Sequence, residues 1–222
     1  MTAFDAVIFD CDGVLVDSEI LAIEVEIALL RDEGLHYEPE EFHDRFIGLH
    51  DTAFRDALEA DCRARLGAPL RADFLELTHQ HRHDACRARL LEVAGAGAAL
   101  TALTLPKAVA SSSGQAFLRE KLEMTGLVGH FGPHVYSADL VARGKPHPDI
   151  FLYAADRLGV APDRCVALED SANGVASARA AGMTVWGFTG GSHCGDGQAS
   201  RLLNAGAHEI VASWAKAQAL FR

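Results

Sequence analysis

The sequence predicts an α/β fold in which a doubly wound parallel sheet carries an inserted all-helical cap domain. Short, continuously apolar runs recur along the chain, as expected of parallel strands that are covered on both faces. Helical segments that end at glycine separate these runs. A long segment without a strand candidate follows the first apolar run, and this indicates a helical insertion early in the sheet.

The apolar runs give six strand candidates, and the segments between them give the connecting helices. Strand, helix and strand in alternation imply right-handed crossovers in an open sheet. The strand candidates are residues 6–10, 107–111, 135–137, 165–169, 184–188 and 209–211. Three helices are predicted at residues 117–125, 149–158 and 172–181, and they stop at Gly126, Gly159 and Gly182.

Residues 18–89 are predicted to form the cap domain, and residues 1–17 and 90–222 the α/β core. Within the insertion, Ile20, Ile23 and Ile27 recur at helix spacing. An insertion after the first strand of such a sheet is expected to cover the carboxyl edge of the strands, where these sheets bind ligands.

The composition excludes several classes of function. The chain has 222 residues, and 31 acidic against 20 basic side chains give a formal net charge of −11. This argues against a nucleic-acid partner or an anionic membrane surface, because no basic patch is available to release counterions. No apolar run reaches the roughly 18–20 residues of a membrane span, and the first residues do not resemble a signal peptide. The five cysteines include no C-x-x-C pair, so we expect a reduced, cytoplasmic protein.

The end of the first strand candidate carries the strongest local signal. Asp10 and Asp12 follow the apolar run, and buried carboxylates are costly unless they are paired or bind a metal. Gly13 relaxes the backbone so that N–H groups can converge on an anion. The alternative is a polar strand-to-helix turn, in which Asp17 or Ser18 caps the next helix.

Later segments add the other parts of a phosphate and metal site. Residues 111–113 offer hydroxyl donors at the end of a strand candidate. Lys145 lies on a proline-flanked loop before a helix, where it can hold an anion as a point charge. Glu169 and Asp170 offer the hard oxygen ligands that Mg²⁺ prefers. The sequence therefore predicts acids, hydroxyls and a cation at one edge of the sheet.

Together these segments resemble the motifs of the haloacid dehalogenase-like superfamily. The motifs are D-x-D-G-V-x-x-D-S at 10–18, G-K-P-x-P-D at 144–149 and E-D-S at 169–171. The resemblance is to the branch with small helical caps, which contains sugar-phosphate phosphatases and β-phosphoglucomutase, and residues 95–100 resemble 6-phosphogluconate phosphatase-type members. It implies a Rossmann-like core and a monomeric, Mg²⁺-dependent phosphatase that acts on a small phosphorylated metabolite, a sugar phosphate.

The resemblance also implies roles for individual residues. Asp10 would attack phosphorus to form an aspartyl-phosphate, while Asp12 would protonate the leaving group and then activate water. Ser111 would bond a phosphoryl oxygen, and Lys145 would balance charge beside the nucleophile. Mg²⁺ would bind the carboxylates of Asp10 and Asp170 and the backbone carbonyl of Asp12, with Glu169 ligating or nearby. The phosphate-binding residues implied are Asp10, Cys11, Asp12, Ser111, Ser112 and Lys145.

Two other functions stay open: a phosphomutase such as β-phosphoglucomutase, and a phosphate-binding or phospho-accepting module that is not an enzyme. Against the mutase, Ala22 stands where the resemblance implies a cap histidine, and residues 48–51 contain no arginine to hold a second phosphate. Asp12 and the length of the inserted segment argue against a binding module. Asp12 also argues against dehalogenation, because a departing halide needs no proton.

Two further segments carry reactive side chains but are interpreted as structural. We interpret His79, His81 and His83 as a solvated helix face, since no carboxylate lies at a matching position. Residues 190–195 are interpreted as a plain glycine-rich connection. The alternatives for that loop are a contact with substrate or a reactive thiol at Cys194.

Overall fold

A computed structural model describes residues 4–46 and 51–221, and in these residues the predicted α/β fold is confirmed. All six strand candidates are strands, with the first ending one residue earlier than predicted. They are β1 (Ala6–Phe9), β2 (Lys107–Ser111), β3 (Val135–Ser137), β4 (Cys165–Glu169), β5 (Thr184–Phe188) and β6 (Glu209–Val211).

The strands form one parallel sheet in the order β3-β2-β1-β4-β5-β6. The chain order reverses between β1 and β4, which is the point where doubly wound sheets bind ligands. In the register, Phe9 lies opposite Val109 of β2 and Leu168 of β4. The residues that follow Phe9 and Leu168 therefore emerge side by side at the carboxyl edge.

Helices cover both faces of this sheet, as a parallel sheet requires. Phe151, in the helix at residues 149–158, is buried with Ile8 and Ala167 of the central strands. The predicted helix at 149–158 is confirmed, and the other two differ from their predicted bounds by one or two residues at an end. The helices are α5 (Ala96–Ala102), α6 (Gln115–Met124), α7 (Asp149–Leu158), α8 (Ala172–Ala180), α9 (Gln198–Asn204) and α10 (Trp214–Leu220).

The chain divides into two compact units, residues 1–18 with 90–222 and residues 19–89. The second unit is helical and has its own core, in which Tyr37, Phe42 and Phe46 pack edge to face. That this unit acts as a cap stays a prediction. Its helices are α1 (Ser18–Asp32), α2 (Pro39–Phe46), α3 (Asp51–Leu66) and α4 (Phe74–Arg89).

Residues 48–50, part of the segment without arginine, lie outside the described residues. Among the helices that the structure describes, none combines the length and hydropathy that a membrane span requires.

Candidate active site

The loop after β1 is a tight turn that the backbone holds in place. The Asp10 amide donates to the carbonyl of Leu168 at 3.0 Å, so the first acid is tied to the neighbouring strand. The Gly13 amide donates to Val16 at 2.8 Å, and Gly13 has a φ of +72°. That value lies in the left-handed region, which explains glycine at this position.

Lys145 joins two of the acids at the carboxyl edge. Its Nζ lies 2.6 Å from Asp10 Oδ1 and 2.5 Å from Glu169 Oε1. The lysine side chain is only 5% exposed, and its ammonium lies 5.1 Å from the ring centre of Phe151. A buried charge is costly unless it is paired. Lys145 therefore offsets the cost of burying Asp10 and Glu169, and they offset the cost of burying Lys145.

Three buried carboxylates form a group that could hold a metal ion. Asp10, Glu169 and Asp170 each offer one oxygen, and these oxygens all lie within 4.8 Å of one another. Burial raises the pKa of all three carboxyls, and repulsion among them adds to this effect. Lys145 opposes it at Asp10 and Glu169, and His193 opposes it more strongly than Lys145 at Asp170. A hard divalent cation with oxygen ligands would relieve that repulsion, so the residues present fit Mg²⁺.

Asp12 lies in a different environment, surrounded by hydrogen-bond donors. Oδ1 accepts hydrogen bonds from Ser18 and from the buried ammonium of Lys121. Oδ2 accepts from Ser113 at 2.8 Å and from Ser111 at 3.4 Å. Burial alone would raise the pKa of Asp12, but these donors, with Lys121 the strongest, outweigh it and lower the pKa to about 2. Asp12 is therefore held as a carboxylate in this structure.

Glu169 is fixed by the start of α8. Its Oε2 accepts hydrogen bonds from the amide and the hydroxyl of Ser171, at 3.3 and 3.1 Å. The same hydroxyl accepts from the Gly174 amide at 3.0 Å and so caps α8. A Cβ on Gly174 would lie 1.9 Å from the carboxyl carbon of Glu169, so the absence of a side chain there makes room for the acid.

The loop after β5 reaches the same group of acids, and this corrects an interpretation from the sequence. His193 Nε2 lies 3.1 Å from Asp170 Oδ2, with both side chains almost fully buried. Ser192 donates to the carboxylate of Asp17 from its amide, at 2.9 Å, and from its hydroxyl. The interpretation of residues 190–195 as a plain connection is therefore wrong. Asp17 and Ser18 are likewise not mere helix caps, because Ser18 donates to Asp12 and Asp17 accepts from Ser192 of the loop after β5.

The structure brings most of the sequence-predicted site residues together, with two exceptions, Cys11 and Ser112. Cys11 is fully buried, and its carbonyl accepts from Leu15 and Val16 within the turn. Ser112 is exposed, and the hydroxyl that contacts Asp12 closely is that of Ser113. The residues that converge are Asp10, Asp12, Ser111, Lys145, Glu169 and Asp170.

Lys121 and His193 were not among the site residues predicted from the sequence. Lys121 carried a usable signal, because it lies between Leu118 and Leu122 on the buried face of α6. A lysine on an apolar helix face must find a buried acid. His193 carried no comparable signal, since its loop has no regular pattern. His79 and His81 are exposed on α4, as expected of a solvated face.

Comparison with known proteins gives a family match over most of the chain. A family model described as a haloacid dehalogenase-like hydrolase matches residues 4–182. The 6-phosphogluconate phosphatase of Escherichia coli is 29% identical over 87% of this chain and 86% of that protein. The phosphorylated carbohydrates phosphatase of Thermotoga maritima is 33% identical over 93% of this chain and 94% of that protein.

A solved structure shows the same fold over nearly the full length. It is a conserved haloacid dehalogenase-like protein from Agrobacterium tumefaciens str. C58, and its TM-score against this chain is 0.90. The two chains are 42% identical, and the match covers 98% of this chain and 97% of the other.

Proposed function

The chain belongs to the family of haloacid dehalogenase-like hydrolases, and from that premise we propose that it is an Mg²⁺-dependent phosphatase of a small phosphorylated metabolite, a sugar phosphate. The observation that carries the proposal is the ion-pair network in which Lys145 joins Asp10 to Glu169. A carboxylate can approach a phosphate dianion only where fixed cations offset the repulsion. The names of the relatives from Escherichia coli and Thermotoga maritima support a sugar phosphate as the substrate.

In the first half of the reaction, a carboxylate oxygen of Asp10 attacks phosphorus and the bond from phosphorus to the ester oxygen breaks. The product on the enzyme is an aspartyl-phosphate, and the departing alkoxide takes a proton from Asp12. Because the structure holds Asp12 as a carboxylate, it must first take that proton from solvent. Ser111, which is fully buried beside Asp12, would donate to a phosphoryl oxygen. Lys145 would hold the charge of the attacking carboxylate and of the phosphoryl group.

In the second half, water attacks phosphorus and Asp12 takes its proton, which releases inorganic phosphate and restores Asp10. Both oxygens of Asp12 accept hydrogen bonds in this structure. Asp12 must therefore exchange at least one of these partners for the leaving group or the water.

Asp10, Glu169 and Asp170 are the carboxylates that would hold Mg²⁺, with the carbonyl of Asp12 as a further ligand. When bound, the ion would neutralise negative charge on the transferring group and favour the approach of an anionic nucleophile. The support for this site is the buried group of three acids and the raised pKa that each of them has without a cation.

The test is phosphate release from a panel of sugar phosphates and other metabolite phosphates, with Mg²⁺ and after chelation. We expect release by the wild-type protein with Mg²⁺, loss of release on chelation, and an inactive Asp10→Asn variant. Asp5→Asn is the matched control, because Asp5 is an exposed acid that pairs with Arg164. The proposal fails if no ester is hydrolysed, or if Asp10→Asn is as active as Asp5→Asn.

The phosphomutase is the second candidate, and the panel separates it from the first. A mutase would interconvert hexose phosphates in the presence of a bisphosphate and release little inorganic phosphate. The absence of arginine from residues 48–51 and the presence of Asp51 favour the phosphatase, since an acid repels a second phosphate. The monomeric state, the cytoplasmic location and the cap role of residues 18–89 stay predictions, as does the lack of a nucleic-acid or membrane partner.

A further inference from the structure

We propose that His193 is a positioning residue for Asp170 and thereby sets the affinity of the site for Mg²⁺. The proposal rests on the proposed function, because it takes Asp170 as a metal ligand. The β5–α9 loop that carries His193 is assigned no role by the motifs of the sequence. The loop nevertheless contacts the site, because His193 lies against the carboxylate of Asp170.

The geometry fits a hydrogen-bond donor and not a further ligand. His193 Nε2 lies 3.1 Å from Asp170 Oδ2, and the two side chains are only 3% and 6% exposed. An N–H donated to Oδ2 orients the carboxylate and leaves Oδ1 for the metal. Among the described residues, the group whose oxygens could share one ion is Asp10, Glu169 and Asp170, without His193.

Two glycines form the space that the imidazole occupies. A Cβ on Gly13 would lie 1.8 Å from Asp170 Oδ2 and 2.6 Å from His193 Cε1. A Cβ on Gly191 would lie 2.8 Å from His193 Nδ1 and 2.6 Å from the carbonyl of Gly13. The absence of side chains at both positions, on separate segments, lets the ring pack against the turn that carries the first two acids.

The rest of the loop is anchored on both sides of the histidine. Before it, Ser192 binds the carboxylate of Asp17 through its amide and its hydroxyl. After it, the Cys194 amide donates to the carbonyl of Gly191 at 3.1 Å. Further on, the Gln198 side chain donates to the backbone carbonyl of Asp170. The side chain and the backbone of Asp170 are thus both held by this one segment.

Partners of this kind affect metal affinity because they fix the orientation of the ligand before the ion arrives. Loss of such a partner commonly weakens metal binding by about 10–100-fold. We therefore expect the effect of His193 to appear in Mg²⁺ binding by the substrate-free protein, without any turnover.

The experiment compares His193→Leu with His193→Gln in the full chain. The two replacements are similar in volume, but only glutamine offers an N–H to Asp170. The readout is the unfolding temperature of chelator-treated protein titrated with Mg²⁺, which gives an apparent dissociation constant by linkage. Asp196→Asn is the control for disturbance of the loop, since Asp196 lies on the same loop and is exposed, whereas Cys194 Sγ contacts the His193 ring at 3.5 Å from Nε2.

We expect His193→Leu to weaken Mg²⁺ binding by about 10–100-fold, His193→Gln to recover most of the affinity, and Asp196→Asn to bind as the wild type does. The proposal is overturned if His193→Leu binds Mg²⁺ as tightly as the wild type, or if His193→Gln is as weak as His193→Leu. If His193→Leu does not fold, His193→Ala, which needs less room, takes its place beside His193→Gln. Binding of Mg²⁺ by His193→Ala as tight as by the wild type would overturn the proposal.

The two proposals can fail separately. If Mg²⁺ binding depends on the N–H at position 193 but the wild type hydrolyses no ester, the positioning role stands and the phosphatase fails. If the wild type hydrolyses esters while all variants bind Mg²⁺ equally, the phosphatase stands and the positioning role fails. If the wild type shows no Mg²⁺-dependent change in unfolding temperature, the positioning role is overturned, and phosphate release with and without chelation decides the phosphatase.

Discussion

Lys121 donates a hydrogen bond to the carboxylate of Asp12, although the two residues lie 109 positions apart in the chain. Lys121 is on α6 and only 2% of its side chain is exposed, so this acid is its main compensation for burial. Its Nζ also donates to the hydroxyl of Ser113 at 2.8 Å, and that hydroxyl donates to Asp12. The side chains of Lys121, Ser113 and Asp12, the proposed general acid, thus form a closed set in which each is hydrogen-bonded to the other two.

Lys121→Met is expected to lower both stability and turnover. Removal of one member of a buried ion pair costs about 3–5 kcal/mol, because the other charge is left without a partner. The proposed acid–base role of Asp12 would also suffer, with kcat lower by about 10²-fold, the lower end of what such catalysis contributes. Urea unfolding and steady-state kinetics measure the two effects.

Lys107→Met is the control for this prediction. Lys107 begins β2, is partly buried, and has a pKa that is lowered by burial alone. Lys107→Met makes the same substitution on β2, the element that precedes α6 in the chain. We expect its kinetics to match those of the wild type. Equal effects of the two substitutions on kcat would contradict the role assigned to Lys121.

Gly174→Ala is expected to destabilise the protein, although alanine is the better helix former. In an ordinary helix this change gains about 1 kcal/mol. At Gly174 the new methyl group would lie 2.0 Å from both carboxylate oxygens of Glu169, which would have to leave Lys145 and Ser171. We expect a lower unfolding temperature and a lower kcat.

Gly129→Ala tests the same substitution where there is room. A Cβ at Gly129 meets no described atom within 4 Å, and its φ is not in the left-handed region. We expect this variant to match the wild type or exceed it slightly in stability. A Gly174→Ala protein as stable as Gly129→Ala would show that Glu169 is not confined as the structure indicates.

The sheet and the strand-end acids could be predicted from the sequence because their signals are local. A parallel strand buried on both faces is a continuous apolar run, and a polar residue directly after it must lie at the carboxyl edge. Asp10 and Asp170 follow such runs, so their proximity depends only on strand order. The glycine stops after α7 and α8 are equally local, and the ends of these helices agree with the prediction to within one residue.

The contacts of Lys121 and His193 could not be predicted in the same way, because they depend on how distant segments pack. Which face of α6 meets the turn after β1 is decided by the burial of Leu118 and Leu122, not by any motif. The position of His193 depends on two glycines, and one of them, Gly13, lies 180 residues earlier in the chain. Tertiary packing thus supplies the partners of the acids.

Asp61→Asn is expected to destabilise the helical unit at neutral pH and much less in acid. Asp61 accepts from the hydroxyl of Tyr37 at 2.5 Å and from Arg45 at 2.7 Å. Burial raises the pKa of Asp61, but these two donors outweigh it and lower the pKa below its usual value. A lowered pKa stabilises the fold above the unfolded pKa, about 3.9, and this contribution is lost as the pH falls through the folded value.

The measurement is the free energy of unfolding of the wild type and of Asp61→Asn, at pH 7 and at about pH 3. We expect a loss of about 1–2 kcal/mol at neutral pH, the size of a hydrogen bond to a charged group, and a smaller difference in acid. Asp73→Asn is the control, since Asp73 pairs with Arg71 at the surface, where solvent screens the pair, and its loss should matter much less. A pH-independent difference for Asp61→Asn would contradict the electrostatic explanation.

Trp214→Phe is expected to weaken the turn that carries Asp10 and Asp12. The indole N–H of Trp214 donates to the carbonyl of Val14 at 2.9 Å in a fully buried contact. Phenylalanine keeps most of the packing against Phe9 but leaves that carbonyl without its donor, which costs about 1–3 kcal/mol. Trp186→Phe removes a similar ring area beside Phe221 and serves as the control. Urea unfolding should show a larger loss in the free energy of unfolding for Trp214→Phe than for Trp186→Phe. An equal loss in both variants would mean that ring volume, not the hydrogen bond to Val14, stabilises the turn.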